Sequence, residues 1–196
     1  MASPHPGATP DELYAGPPPW DIGRPQPALR ALADAGAIRG QVLDVGCGTG
    51  EHALMAARLG LNVTGVDLAL NALRTAEQKA RDRGLGVRFL HHDARRLADL
   101  GESFDTVLDC GLFHIFTGDD RPAFVDALRS VVRPGGRYFM LGFSDRPGPG
   151  RHRLTREEIT AAFREGWQVD AIEPAAIEVT TQPDGISAWL AALTRI

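Results

Sequence analysis

The chain has 196 residues, a formal net charge of -4, 43% apolar side chains and two cysteines. That length suits one domain with a real core, and the absence of an unbroken apolar run of membrane length argues against a spanning helix. Mild acidity argues against a nucleic-acid polyanion as main partner, no basic segment followed by an apolar one opens the chain as a secretory signal would, and two cysteines make no disulfide framework, so a cytoplasmic protein with reduced thiols is expected.

In chain order, Met1 to Pro10 is small, polar and proline-rich, a loose arm without the apolar content to fold. Asp11 to Tyr14 suggests a short helical turn, and Gly16 to Pro27 a stiff extended segment, because its prolines fix φ and bias their predecessors to extended conformations. Residues 1–27 are therefore read as an N-terminal arm and 28–196 as a single domain. Ala28 to Ala37 returns to helical spacing, with Leu29, Leu32 and Ile38 as its apolar marks.

Strands and helices then alternate. A strand at Val42–Val45 leads through a glycine turn into a helix from Glu51 to Leu59. A second strand, Asn62–Val66, precedes a helix from Leu70 to Arg83 with Leu68, Leu73 and Ala76 on its apolar side and Gly84 and Gly86 at its end. Further strands are predicted at Val87–Leu90 and Phe104–Cys110, then a helix capped by Asp119 or Asp120, with Pro122 in its first turn. Pro134-Gly135-Gly136 turns the chain into a strand at Arg137–Phe143, and Thr155 and Glu158 form a capping box for a helix to Phe163. The last runs, Trp167–Thr181 with a break at Pro174 and Ile186–Thr194, flank the turn sequence Gln182-Pro183-Asp184-Gly185. Strands separated by helices demand parallel pairing, whereas the final pair makes an antiparallel hairpin at one edge; the class is α/β.

The stretch Asp44-Val45-Gly46-Cys47-Gly48-Thr49-Gly50 carries the chemistry. Three alternate glycines remove the Cβ atoms that would hold a ligand away, permit positive φ, and expose amides at a helix N-terminus. Asp67 closes the next strand, where a carboxylate can accept from ribose hydroxyls. The spacing G-x-G-x-G differs from the dinucleotide G-x-G-x-x-G, and Asp44 favours a ligand with a cationic amino group over a pyrophosphate. An NAD-dependent oxidoreductase is thus the weaker reading.

Asp44 to Gly50 matches (D/E)-x-G-x-G-x-G and so resembles the first motif of the Rossmann-like, class I S-adenosylmethionine-dependent methyltransferases. The resemblance implies a seven-stranded sheet in the order 3-2-1-4-5-7-6 with strand seven antiparallel. It also implies S-adenosyl-L-methionine as cofactor, with Asp44, Gly46, Cys47, Gly48, Thr49 and Gly50 around its methionine part and Asp67 on its ribose. Asp93 is expected to accept the adenine amino group and Ala94 to offer a backbone amide; a helix cap is the other reading of Asp93. Leu68 is expected on the adenine face, or else in ordinary core.

In such sheets ligands sit beyond the carboxyl ends of the strands. Cys110 and His114 follow the fourth strand there, and His114 lies where the transferred methyl should point, so a neutral imidazole could take a hydroxyl proton. A pocket-lining structural histidine is the competing reading, and a thiol acceptor would need little help. The Asp-Pro-Pro or Asn-Pro-Pro sequence of amine- and amide-directed methyltransferases is absent here, which disfavours nucleic-acid and protein-amide substrates. Cys47 and Cys110 end neighbouring strands, as small pocket residues or as a redox pair. His91-His92 lacks further ligands at metal spacing, and Arg146, Arg151, His152 and Arg153 lie in a loop that could greet an acidic acceptor.

Pro19-Trp20-Asp21-Ile22-Gly23-Arg24-Pro25-Gln26-Pro27 resembles the arm of halide and thiol methyltransferases, with similar segments in thiopurine-like and quinone-directed relatives. By that resemblance the arm covers the cofactor, Trp20 meets its cationic sulfonium end and Tyr14 closes the substrate side; a hydrophobic plug is the other reading of Trp20. The expectation is methyl transfer to an oxygen or sulfur of a small phenol, quinol or thiol, with a non-catalytic cofactor-binding protein as the alternative. Nothing in the sequence indicates the oligomeric state.

Overall fold

The computed structural model describes residues 9–147 and 153–196. Alternation along the strands builds two apolar layers on one sheet. In β1 (Gln41–Val45), Leu43 and Val45 point to one face and Val42 to the other. The same split recurs at Val107 and Leu108 of β4 (Phe104–Cys110), and at Tyr138 and Phe139 of β5 (Val132–Phe143). The first face packs under α5 (Asp120–Val131), through Phe124 and Leu128, and α6 (Arg156–Ala162), through Ile159. The second packs under α2 (Pro27–Asp34), through Leu29 and Ala33, and α3 (Glu51–Arg58), through Ala53 and Ala56.

The sheet has seven strands in the order β3-β2-β1-β4-β5-β7-β6. β2 (Asn62–Asp67) and β4 flank β1 in parallel, and β3 (Arg88–His91) and β5 extend the sheet in parallel on either side. β7 (Gln182–Arg195) runs antiparallel to β5 and to β6 (Trp167–Val179). The expected order and the antiparallel seventh strand are both present. Among the described residues no helix is long and apolar enough to cross a membrane.

Several local expectations are corrected. Pro174 does not break β6; it pairs with Trp189 inside a continuous strand. β6 is the sheet edge, so the donor that proline lacks is not needed on its outer side. The hairpin turn is Thr180-Thr181, and Gln182 already pairs with Val179. Pro183 to Gly185 instead forms a bulge opposite Glu178, and at Gly185 (φ 67°) a Cβ would stand 2.6 Å from the Ile177 carbonyl oxygen. Leu68 does not join the apolar side of α4 (Leu70–Asp82); Leu73 and Ala76 do. Asp119 occupies the cap position of α5 without a side-chain cap bond, because α5 starts from a helical Asp119 backbone, and Asp120 is held by Arg95. The capping box of Thr155 and Glu158 is formed as expected.

Candidate functional site

The carboxyl ends of β1, β2 and β4 meet at the glycine turn. The amides of Gly46 and Cys47 both donate to the Val66 carbonyl, at 2.8 and 3.0 Å, which folds the turn against β2. All three glycines have positive φ, 68°, 52° and 84° for Gly46, Gly48 and Gly50. Their missing side chains also admit neighbours. A Cβ on Gly50 would lie 2.9 Å from Ala76 of α4, one on Gly48 2.6 Å from the Tyr14 hydroxyl, and one on Gly46 3.1 Å from Leu112. The turn is therefore clasped by α4, by the arm and by the turn that follows β4.

Three aspartates sit around it. Asp67 accepts from the Gly48 amide at 2.7 Å and the Ala69 amide at 2.8 Å. Burial pushes its pKa up while those amides pull it down. Asp44, 1% exposed, accepts from the Ala53 amide at 2.9 Å. Burial, aided by the negative charges of Asp109 and Asp67, pushes Asp44 up to about 7 against the Ala53 bond. Asp109 is sealed inside, where it accepts from the amides of Leu112 and Phe113 and from the Tyr138 hydroxyl. Sequence reasoning passed over Asp109, since an acid inside an apolar run does not reveal whether donors await it.

Leu68 is 40% exposed, so the core reading fails, and it borders a concavity of about 230 Å³ with His91, His92, Asp93, Arg96 and Asp99. Asp93 caps the 3-10 helix at Ala94–Leu100 through the Arg95 amide at 2.9 Å, so the cap reading is realised. The Arg95 guanidinium pairs with Asp93 at 2.7 Å and with Asp120 at 2.7 Å, and lowers the Asp93 pKa. Ala94 is buried in the apolar layer with Leu97. His91 contacts the Leu68 carbonyl and His92 the Arg96 carbonyl, each through a ring nitrogen.

His114 stands on a 3-10 turn, Phe113–Ile115, which Asp109 pins to the end of β4. Its ring is 8% exposed and stacks on Phe143 at 4.4 Å with an interplanar angle of 24°. Gly111 and Gly142 border the ring, since a Cβ on either would lie in ordinary contact with the imidazole, at 3.6 and 3.7 Å. Cys47 and Cys110 are free thiols, and burial pushes both pKa values up, so neither is poised as a thiolate.

The arm lies over the turn. Thr9 caps α1 (Pro10–Leu13) in a capping box with Glu12, and Asp11 accepts from the Asn71 amide in the first turn of α4. Trp20 donates from Nε1 to the Tyr14 hydroxyl at 3.3 Å, with the two rings edge to face at 6.2 Å. Asp21 accepts from the Thr49 hydroxyl at 2.8 Å, so that side chain reaches the arm. Farther along, the Gln26 amide takes both the N–H and the carbonyl of Glu178 on the edge strand, and the Gln26 backbone N–H donates to His52 at 3.1 Å. Burial drags His52 down to about 4, which keeps it a neutral acceptor. Met1 to Ala8, Arg151 and His152 lie outside the described residues; Arg146 is exposed beside Trp189, and Arg153 donates to the Arg146 carbonyl.

A glycine turn at a helix start, carboxylates at the ends of two strands, and an exposed apolar side chain above a concavity fit a nucleoside bearing a cationic amino acid. Residues 42–136 match the family model described as a methyltransferase domain. The chain is 34% identical over 176 residues to 2-heptyl-1-hydroxyquinolin-4(1H)-one methyltransferase of Mycobacteroides abscessus, covering 87% of this chain and 77% of that one. Among solved structures it is similar to one titled for the conversion of a disulfide bond into a thioacetal group during echinomycin biosynthesis, with a TM-score of 0.84 and 39% identity over 96% of this chain and 88% of that one. The fold is shared with magnesium protoporphyrin IX methyltransferase of Synechocystis with bound SAM, at a TM-score of 0.67 and 21% identity over 86% and 76% of the two chains. The chain belongs to the class I S-adenosylmethionine-dependent methyltransferases.

Proposed function

We propose that this enzyme transfers a methyl group from S-adenosylmethionine to an oxygen or sulfur atom of a small molecule of the phenol, quinol or thiol type. The observation that carries the reading is the placement of His114. Its turn abuts the glycine turn through Leu112 and Gly46, and its ring is held flat on Phe143. When bound, the cofactor supplies an electrophilic methyl on a sulfonium. The protein's task is then alignment and exclusion of water, and orientation alone can contribute roughly 7–11 kcal/mol.

In this reading Asp44 and the turn from Gly46 to Gly50 hold the methionine part, and Asp67 takes the ribose hydroxyls. Leu68 lies against the adenine, while Asp93 and Ala94 meet its edge and Cys110 lines the pocket. The described part of the N-terminal arm, from Thr9 onward, forms the lid over the domain, with Trp20 toward the sulfonium. His114 receives the proton of a hydroxyl acceptor. The whole-length likeness to the structure named for a disulfide-to-thioacetal conversion favours sulfur between the two acceptor atoms.

The test incubates the purified protein with S-adenosylmethionine and a panel of alkyl thiols, disulfides, hydroquinones and hydroxyquinolones. Adenosylhomocysteine is quantified and the methylated atom located by mass spectrometry. Turnover with a small oxygen or sulfur acceptor supports the proposal. Tight cofactor binding with no adenosylhomocysteine from any acceptor would favour the non-catalytic alternative.

A further inference from the structure

We infer that Lys79 is a positioning residue that latches the N-terminal arm onto the glycine turn through Thr49 and Asp21, and so sets how tightly the cofactor is held. The inference rests on the cofactor site proposed above. Lys79 lies on α4 one turn beyond Ala76, the residue packed under Gly50. Its ammonium donates to the Thr49 hydroxyl at 2.8 Å, and Thr49 donates in turn to Asp21 at 2.8 Å. The ammonium also pairs with Glu51 at 2.9 Å and lies 3.8 Å from Asp21. The side chains of Lys79, Asp21 and Glu51 are only 20%, 16% and 7% exposed, so these charges are partly withdrawn from solvent screening.

The polarity of this relay matters. A threonine hydroxyl has one hydrogen to give. With Lys79 donating to its oxygen, Thr49 is left to aim that hydrogen at Asp21. Removing the ammonium frees the hydroxyl to rotate and leaves the Asp21 and Glu51 carboxylates without the cation between them. Glu51 keeps Arg83, which holds it at 2.8 and 2.9 Å, so the packing of α3 on α4 has a second support. Among the described residues Asp21 has no such substitute: its other side-chain bond is from Gly23, within the arm itself. Asp21 directly follows Trp20, which is tied to Tyr14 over Gly48. The latch therefore fixes the part of the arm that lies above the turn.

The test compares Lys79→Met, Lys79→Arg and Asp21→Ala in the full chain. S-Adenosylmethionine affinity is measured by calorimetry, and hydrogen exchange by mass spectrometry on the peptide spanning residues 9–26. Lys79→Met should weaken cofactor binding about tenfold, a change of one decade in Kd, and speed exchange in the arm while the β1–β5 peptides stay protected. Lys79→Arg should restore most of the affinity. Adding Lys79→Met to Asp21→Ala should cost little more, because the two act through one contact. If Lys79→Met lowers global stability, Asp21→Ala carries the test alone. Unchanged affinity and unchanged arm exchange would overturn the latch. Asp67→Ala separates the two proposals: if it leaves affinity unchanged, the cofactor-site reading fails, whereas arm exchange still reports on the latch.

Discussion

Tyr138 donates its hydroxyl hydrogen to Asp109 Oδ2 at 2.7 Å, with both residues sealed from solvent between β4 and β5. The same carboxylate holds the turn that carries His114, so a bond inside the aromatic layer bears on the position of a ring at the cleft. Burial pushes Asp109 up to about 7 even though Tyr138, Leu112 and Phe113 all favour its charged form. Tyr138→Phe removes one donor and keeps the ring among Phe163 and Trp167. A hydrogen bond to a charged group is worth roughly 1.5–3 kcal/mol. The variant should lose about that much stability in urea unfolding at pH 8, and less at pH 5, where the buried carboxyl is protonated. An equal loss at both pH values would show that Asp109 does not change its protonation state between them.

Asp44 gives the matching prediction for ligand binding. Its carboxyl is pushed from an ordinary 3.8 to about 7 in the folded protein. The folded state thus binds this proton more tightly than the unfolded chain, and the stability so gained is full below pH 4 and lost as pH rises through 7. A cationic amino acid beside Asp44 favours the charged form instead. Affinity for S-adenosylmethionine should therefore rise between pH 6 and pH 8. Calorimetry on Asp44→Asn should show weaker binding and a flatter pH dependence of both affinity and melting temperature; a slope as steep as the parent's would assign the titration to another group.

Most strands and helix ends were legible because each rests on local chemistry: apolar runs, glycine stops, and a capping box at Thr155 and Glu158. The strand order is a tertiary property and came only through the resemblance carried by the glycine motif. The same holds for the turn from Gly46 to Gly50. Polar tertiary contacts were not legible. Lys79 reads as one more charge on a solvated helix face until α4 is seen to pass under Thr49. Pro174 reads as a break until β6 is known to be an edge. Gln26 gives no local sign that its amide will complete Glu178 on a strand 152 positions away. Leu68 looks like a core residue by spacing, yet Asp67 ends its strand by bonding Ala69 and turns Leu68 outward.

Gly48 links turn and arm. With φ at 52°, an alanine there would sit in the left-handed region, at a cost of about 1–2 kcal/mol. Its Cβ would also stand 2.6 Å from the Tyr14 hydroxyl. Gly48→Ala should lower the melting temperature by several degrees, on the order of 2–4 °C per kcal/mol for a chain of this size, and should red-shift Trp20 emission as Tyr14 is displaced. Adding Tyr14→Phe removes the clashing oxygen and should restore part of the loss. Strictly additive losses in the double variant would mean that the arm does not rest on Gly48.

His114→Gln separates the two acceptor chemistries. Loss of a general base in a hydroxyl-directed reaction lowers turnover by roughly 10²–10⁴-fold. A thiol with an unperturbed pKa of about 8.5 ionises far more readily than a hydroxyl, so turnover with a thiol should fall less than about tenfold. Affinity for S-adenosylmethionine should stay within about twofold of the parent, since Asp109 and not His114 pins the turn to β4. Parallel rates with a hydroquinone and an alkyl thiol, each at saturating cofactor, make the comparison internal to one variant. Equal large losses with both would point to the stack on Phe143 shaping the acceptor pocket, with the imidazole acting as a wall rather than as a base.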